Sequence, residues 1–340
     1  MLERAYRGAG LKAARQPIVT CLFCQWSRPF SATCRRLKDG KTSTPPKEPS
    51  KPAQSSDVAA VPQSAPESPL ANAPRAYGKR VDDFKPVPLS RPIGMHFPPQ
   101  AGENTGVDTR SLQQRRDDFV DYEKHLKRRE ELKQKMAKPY FREWSNLQFQ
   151  KGKSFLAPPR LFRADKSLYF PNLHGRTLAG TKPGAPLDTT PVLSGAAASV
   201  VTVFSSLWAE NQTRTFVSPE ANPALHETLR VSGGRAQLVR VNFEENAMRY
   251  WLVRLFSGSL RRQVGKENWH KYFLIRRGVS EEIRESIGLL NSKVGYTYLV
   301  DRECRIRWAG SGPSEPEERE GLVKGVHRLL DEDAKRTTSS

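Results

Sequence analysis

Short apolar runs separated by amphipathic stretches dominate the second half of the chain. The run SVVTVFS at 199–205 is rich in β-branched residues, which favours a central strand buried on both faces. The pattern AQLVRVNF at 236–243 predicts a second strand, and residues 271–275 are predicted to be a short third strand or an extended connection. The segments 295–301 and 304–308 follow each other closely enough to form a hairpin. This part of the chain is therefore predicted to fold around a sheet.

Helical periodicity appears between the predicted strands. A helix is expected to start at Ser218, and the last helix at Ser314, whose side chain would form a capping box with Glu317. The stretch 245–262 is amphipathic, and its expected inward-facing residues are Trp251, Leu252, Leu255 and Phe256. The resulting order, β-α-β-α followed by β-β-α, is the thioredoxin-like pattern. The predicted fold class is therefore α/β, with a thioredoxin-like domain at 161–335.

The positions that carry redox chemistry in this fold lack the residues that would perform it. The string FPNLHGRTL at 170–178 resembles the opening hairpin of the peroxiredoxin branch, whose working members place a cysteine just after the first central strand. This chain has Ser205 and Ser206 there, and a serine without an adjacent base is not a useful nucleophile. The histidines show no metal-ligand spacing. We predict no enzyme activity, no cofactor and no metal site, with Cys304 acting alone as the remaining thiol alternative.

Residues 86–160 are predicted to form an extended segment followed by a charged helix. Asp108 or Thr109 can cap a helix that runs to about residue 137, just before Pro139. Its apolar positions make only a narrow stripe among many basic residues, so it is not a core element by itself. It could lie on an anionic membrane surface, dock a partner or remain solvated. The aromatic residues that follow it favour docking.

The first 85 residues have the composition of targeting and linker sequence. Residues 1–38 are rich in arginine and poor in acids, which is typical of a mitochondrial transit peptide, and we expect cleavage after Phe30. The CxxC at 21–24 falls inside this segment, without a preceding strand, and is interpreted as coincidental. Residues 39–85 are dominated by Pro, Ser, Ala, Lys and Gln, so they are predicted to be a disordered linker.

The strong positive charge narrows the classes of partner. The net charge of +20 is compatible with nucleic acid, an anionic membrane or acidic partners, although the first 40 residues account for +6 of it. No apolar stretch reaches the roughly 18–20 residues that span a bilayer. We therefore predict a peripheral protein without a transmembrane segment. A protein associated with RNA or the mitochondrial ribosome is the alternative that accounts for the charge.

Several strings between residues 91 and 330 carry a resemblance to a known family. They are RPIG at 91–94, KPYFR at 138–142, KGKSF at 151–155, YFPNL at 169–173, and YLVD at 298–301 leading into CRIRWAGSG at 304–312. With these strings the chain resembles the fungal mitochondrial ATPase complex assembly-factor family. The resemblance implies a chaperone at the matrix side of the inner membrane. It would bind newly made subunit 6 of the Fo sector and promote its association with the proteolipid ring, with no nucleic acid as a partner.

The candidate partner-binding residues come from these strings. Trp and Arg are over-represented at binding hot spots, and strand alternation would place Arg305 and Arg307 on one face and Ile306 and Trp308 on the other. The alternative is that Trp308 lies in the core and the arginines are solvated strand residues. The hypothesised partner-binding set is Arg305, Arg307, Trp308, Tyr169 and Phe170, acting at the shallow peptide groove of the fold or at its edge.

Overall fold

The computed structural model describes residues 69–76, 81, 83–108, 110–136, 141–180 and 187–339. The predicted transit peptide, its cleavage site after Phe30 and the CxxC lie outside the described residues, as does most of the predicted linker. Those assignments stay predictions.

A six-stranded mixed sheet forms the centre of the domain, in the order β1-β4-β3-β2-β5-β6. The strands are β1 Arg176–Thr177, β2 Ala198–Phe204, β3 Ala236–Phe243, β4 Tyr272–Ile275, β5 Tyr296–Asp301 and β6 Ile306–Ser311. β3 runs parallel to β2, whereas β5 pairs antiparallel with the other side of β2 and then with β6. The order β3-β2-β5-β6 with β5 reversed is the thioredoxin core, which β4 and β1 extend beyond β3. The predicted fold class is confirmed.

Helices flank the sheet and precede it. They are α1 Leu112–Val120, α2 Tyr122–Met136, α3 Arg142–Ser145, α4 Thr189–Ser194, α5 Leu207–Val217, α6 Pro223–Val231, α7 Ala247–Leu255, α8 Ser257–Val264, α9 Glu281–Ser286 and α10 Pro316–Ser339. A 3-10 turn, Lys266–Lys271, connects α8 to β4. The predicted strands at 199–205, 236–243 and 271–275 agree with β2, β3 and β4 to within a residue at each end.

The sheet is covered on both faces, as its almost fully apolar central strands require. Val201 and Val203 of β2 face a core that includes α9 and extended segments from the N-terminal side of the domain. Val200 faces the opposite core, where it packs with Phe216 of α5 and with the apolar side of α10. Side chains of a strand point alternately to the two faces of the sheet, so neighbouring residues of β2 pack in different cores.

Segments N-terminal to the sheet are integral to its first core. Leu70, Leu89, Ile93 and Phe155 are all at most 4% exposed and belong to the same cluster as the inner strand residues. The predicted linker, drawn as 39–85, therefore includes a residue of the core, because Leu70 packs there with Ala73. The predicted extended segment also contributes to this core, since Leu89 and Ile93 belong to it.

Residues 168–170 cover the start of β6, which would otherwise leave a free sheet edge. Phe170 donates its backbone N–H to the Cys304 carbonyl at 2.7 Å, and Ile306 donates to the Leu168 carbonyl at 2.7 Å. Met95 and Tyr169 exchange two backbone hydrogen bonds on the outer side of this segment. Gly94 has φ +143°, and a Cβ there would lie 2.8 Å from the Tyr169 carbonyl oxygen, so the approach requires glycine. The strings RPIG and YFPNL thus protect a strand edge.

A buried ion pair joins the KGKSF string to the last helix. Lys153 Nζ lies 2.6 Å from Glu318 Oε2, and the two side chains are only 3% and 7% exposed. Lys153 also donates to the Pro313 carbonyl at 2.9 Å, while Glu318 accepts hydrogen bonds from the backbone N–H groups of Ala157 and Glu315. The pair therefore has the additional hydrogen bonds that a buried ion pair needs. The pair holds residues 153–157 against the turn between β6 and α10.

The charged helix was predicted as one element at 108–137, but the structure has two helices there, α1 and α2. Its first part begins after Ser111, whose side chain forms a capping box with Gln114, rather than at Asp108 or Thr109. The helix is interrupted at Asp121, which has an extended backbone and whose carboxylate accepts from the N–H groups of Glu123 and Lys124. Asp121 therefore ends α1 and caps α2.

Two further helix starts were predicted wrongly. The helix expected at Ser218 begins at Pro223 with Asn222 as its cap, because Ser218 ends α5 and its hydroxyl accepts from the Ala221 N–H. At the last helix, Ser314 bonds to Thr215 of α5 instead of capping. The side chain that accepts a hydrogen bond from the backbone at the start of this helix is that of Glu318, which bonds to the Glu315 N–H, and not that of Glu317.

Removing the charge of Glu318 is expected to destabilise the domain strongly. In Glu318→Gln the buried Lys153 ammonium keeps only the half-exposed carboxylate of Glu315, 3.6 Å away, and breaking a buried pair costs up to about 3–5 kcal/mol. Urea unfolding of the purified protein would measure the loss in free energy of unfolding.

The matched control is Glu320→Gln on the same helix. Glu320 pairs with Lys324 at 3.2 Å, but both side chains are at least 70% exposed. Its replacement should change the unfolding free energy by less than about 1 kcal/mol. Equal effects of the two replacements would contradict a structural role for the buried pair.

Candidate partner-binding surface

The carboxyl end of β2, where redox relatives carry their nucleophile, holds two serines in structural roles. The Ser205 hydroxyl donates to the backbone carbonyl of Ser292. The Ser206 hydroxyl accepts from the Ala209 N–H at 3.2 Å and so caps α5. No base contacts either hydroxyl within the described part of the chain, so neither is activated as a nucleophile.

A segment of the chain itself fills the groove beside these serines. Glu143 of α3 accepts hydrogen bonds from the N–H and the hydroxyl of Ser292, at 3.2 and 2.5 Å. Asn291 donates to the Glu143 carbonyl, and the Lys293 ammonium lies 5.6 Å from the centre of the Trp144 ring. The cavity that remains is about 20 Å³, which has room for about one water molecule. The expectation of an open peptide groove is therefore wrong, because α3 occupies it.

The outward face of α7 is apolar instead of polar. Its exposed side chains lie at positions spaced as one helical face, and they are between 47% and 74% exposed: Met248, Trp251, Leu252, Leu255 and Phe256. The expectation that four of them face inward is wrong. The inward positions belong to Tyr250 and Val253, which pack with Leu260 of α8 on the core around Tyr272.

Two more exposed apolar residues lie at the same edge of the sheet. Leu207 and Trp208 open α5 and are 70% and 52% exposed. Because β2 and β3 are parallel, the helices that follow them, α5 and α7, begin at one edge. We call this set the apolar rim: Leu207, Trp208, Met248, Trp251, Leu252, Leu255 and Phe256. Exposed apolar residues that are grouped at one edge of a domain are candidates for protein or membrane interaction.

The charge around the apolar rim is positive. Residues 247–264, which make up α7 and α8, contain Arg249, Arg254, Arg261 and Arg262 and no acidic residue. Arg249, Arg254 and Arg262 are exposed. Apolar residues combined with basic ones on surface helices suit an anionic membrane surface or an apolar segment bearing acidic groups.

Three of the five predicted contact residues are buried. Trp308 is 1% exposed, donates its indole N–H to the Pro158 carbonyl at 3.1 Å and packs edge-on against Phe216. Phe170 is fully buried against Tyr298, with ring centres 5.5 Å apart. Arg307 is the third, and no partner can touch these side chains directly in this conformation.

Arg307 is buried because a bulge in the hairpin turns it inward. The register between β5 and β6 shifts at Leu299 and Val300, which pair with Trp308 and Ile306. Arg307 is the extra residue, and Ile306 and Trp308 consequently face different cores instead of sharing one face. The Arg307 guanidinium bonds to the Phe162 carbonyl, to Asp301 and to Glu332.

Tyr169 and Arg305 are the two predicted contact residues that remain accessible. They face each other across the strand edge and are half-buried, the Arg305 side chain being 22% exposed. Their proposed role in binding a partner stays a prediction. The sequence analysis did not identify Glu143 or the outward face of α7, although the apolar spacing of α7 was visible in the sequence.

Cys304 and the histidines offer no reactive site in the described residues. Cys304 is 2% exposed, and burial together with nearby Asp301 and Glu303 raises the pKa of its thiol to about 12. No group of three His, Cys, Asp or Glu side chains could hold a metal ion in the part of the chain that the structure describes. Within that same part, no helix combines the length and apolar character that crossing a membrane requires.

Comparison with known proteins places these features in a family. The profile of the family described as ATP10 protein matches residues 76–329. The protein named Mitochondrial ATPase complex subunit ATP10 from Eremothecium gossypii is 34% identical over 244 residues, which cover 71% of this chain and 85% of that protein. The protein of the same name from Saccharomyces cerevisiae is 30% identical over 252 residues, covering 71% and 86%.

Among solved structures, the similar ones are thiol-disulfide proteins at low identity. A putative thiol:disulfide interchange protein DsbE from Chlorobium tepidum is 12% identical with a TM-score of 0.31, covering 48% of this chain and 96% of that one. A secreted thiol-disulfide isomerase from Corynebacterium glutamicum is 8% identical with a TM-score of 0.35, covering 50% and 90%. The fold assignment rests on the strand order of this chain rather than on these similarities. The match over residues 76–329 and the identity to the fungal proteins show that the chain belongs to the ATP10 family.

Proposed function

We propose that this protein is an assembly factor of the mitochondrial ATP synthase that binds newly made subunit 6 of the Fo sector. It would hold this client at the matrix side of the inner membrane until the client joins the proteolipid ring. The names of the fungal relatives, subunits of the mitochondrial ATPase complex, support the complex as the target. The apolar rim is the observation that favours a newly made membrane subunit as the bound client.

The chemistry of the apolar rim suits such a client. A newly made membrane subunit presents apolar helices that have not yet met their partners, and water disfavours their exposure. Trp251 and Trp208 offer large, rigid contact areas of the kind that dominate binding hot spots. The surrounding arginines favour an anionic membrane surface, to which each basic residue nearby contributes about 1 kcal/mol. Peripheral attachment and client binding would then use adjacent parts of α7 and α8.

A role without catalysis fits the filled groove. Glu143 occupies the place where a redox relative would bind its substrate, and Ser205 replaces the nucleophile. The buried Cys304 thiol, with its pKa near 12, is poorly suited to act alone because the thiolate is the reactive form. We therefore propose that the domain serves as a binding scaffold and not as an oxidoreductase.

Polar replacements on the apolar rim are expected to abolish capture of subunit 6. Trp251→Gln and Leu255→Gln together remove two exposed apolar side chains, and each loss should weaken binding by about tenfold. Tagged protein would be recovered from mitochondria during labelled synthesis of organelle-encoded proteins, and the labelled subunit 6 that co-purifies would be measured.

The matched control carries Val87→Gln and Val231→Gln, two residues that are 67% and 69% exposed outside the apolar rim. This variant should capture as much subunit 6 as the unaltered protein, and thermal unfolding should show both variants folded. Undiminished capture by the rim variant would refute the rim as the binding surface. If the double variant Tyr169→Ala with Arg305→Ala loses capture and the rim variant does not, the binding site lies at the strand edge. Recovery of ribosomal RNA in place of subunit 6 would favour the RNA-associated alternative.

The Cys304 thiol is expected to be inert in the folded protein. The test uses a chain in which the other cysteines, Cys21, Cys24 and Cys34, are replaced by serine. At pH 8 the Cys304 thiol should be alkylated at least about a hundredfold more slowly in the folded protein than in the protein unfolded in urea. The reason is that burial suppresses the thiolate. Peroxide consumption should also be the same in Cys304→Ser and in the unaltered chain. Rapid alkylation of the folded protein, or peroxidase activity that depends on Cys304, would revive the thiol alternative.

A further inference from the structure

A cleft separate from the apolar rim opens on the second face of the sheet. One cavity of about 520 Å³ lies over β3 and β4, between the end of α6 and the turn that follows α8. A second cavity of about 270 Å³ lies over β2 beside α5. Both are lined by Arg240 and Gln263, so the two cavities meet at these side chains. The larger one has the size of a small-molecule site.

Arg240 is a cation without a partner on the floor of this cleft. It lies in the middle of β3, in register with Thr202 of β2 and Tyr272 of β4. Among the described residues, no ion pair or hydrogen bond holds its guanidinium. Burial lowers its pKa, an effect that Glu210 opposes, but Glu210 is already bonded to Arg214 at 3.1 Å. Arg240 is half-buried, and a guanidinium in a cavity wall without a protein partner is available to an anion that is supplied from outside.

The remaining lining of the larger cavity is mainly basic or amide-bearing. Lys271 borders Tyr272, its pKa is lowered by burial, and no described carboxylate pairs with it. Arg230 lies at the mouth, where it bonds to Glu227. Gln263 and Asn268 contribute amides, and the single carboxylate in the lining is that of Glu267. Basic side chains therefore outnumber carboxylates in the larger cavity, whereas Glu210 and Glu220 line the smaller one.

We propose that this cleft binds a small phosphate-bearing molecule, whose phosphate oxygens accept hydrogen bonds from the Arg240 guanidinium and the Lys271 ammonium. A planar guanidinium matches two phosphate oxygens at once, and Lys271 supplies a second positive charge. Apolar side chains of Leu229, Leu238 and Val264 leave room for a non-polar part of the ligand beside the phosphate. The site is spatially separate from the apolar rim, because it uses none of the rim's residues.

The test measures binding to the purified full chain by calorimetry and thermal stabilisation. The probes are inorganic phosphate, pyrophosphate and dihexanoyl phosphatidic acid below its micelle concentration, each compared with sodium chloride at equal ionic strength. We expect saturable binding of at least one probe. Arg240→Gln should weaken it by about tenfold or more, since hydrogen bonds to charged groups are strong. Lys271→Gln should weaken it by up to about tenfold while leaving the fold intact.

The matched control is Arg163→Gln, which makes the same change of charge at a side chain 75% exposed and paired with Asp165. It should bind the probes as the unaltered chain does. Binding of the soluble phosphates alone would identify a free metabolite as the source of the phosphate, and binding of the lipid alone a membrane headgroup. The proposal is overturned if no probe binds saturably, or if Arg240→Gln binds as tightly as the control.

Discussion

The buried Lys153–Glu318 pair holds together parts of the chain that are more than 150 residues apart. Its hydrogen bonds keep residues 153–157 against the end of β6, where Ser311 accepts from the N–H groups of Ser154 and Phe155 and donates to the Phe155 carbonyl. The position of α3 depends on this attachment, because only a few residues separate α3 from Lys153. Through it, Glu143 reaches the loop before β5 and fills the groove. The attachment of residues 153–157 and the groove lie at the same end of the sheet, since Ser311 pairs with Tyr296 and Tyr296 with Val203.

The strings that mark the family mostly build this scaffold. KGKSF contacts β6 and α10, RPIG approaches YFPNL at a distance that only glycine allows, and CRIRWAGSG supplies the bulge, Trp308 and Ser311. A string that resembles a family is therefore not the same as a contact surface. Trp308 and Phe170 belong to such strings, but both lie in the packed interior. The candidate partner-binding surface lies in α7, outside all these strings.

The strands could be predicted from the sequence because their burial leaves a local signature. Residues 199–205 and 236–243 are β-branched and apolar runs, and no alternative secondary structure suits them as well. The orientation of α7 could not be predicted, because Tyr250 and Val253 compete with Trp251 and Leu255 for the core and periodicity alone does not decide between two apolar faces. The break at Asp121, the bulge at Arg307 and the insertion of Glu143 depend on single hydrogen bonds or distant contacts, which hydrophobic patterning does not record.

The apolar rim and the cleft at Arg240 share one structural unit. α7 carries most of the apolar rim, and it is joined through Phe256 to α8, whose Gln263 and Val264 line the larger cavity. These helices pack on the sheet through half-buried side chains, and none of their own residues is fully buried. A ligand that orders α8 would therefore reduce the ordering cost of binding at α7, without any contact between the two sites. By linkage, a client bound at α7 would strengthen ligand binding by the same factor.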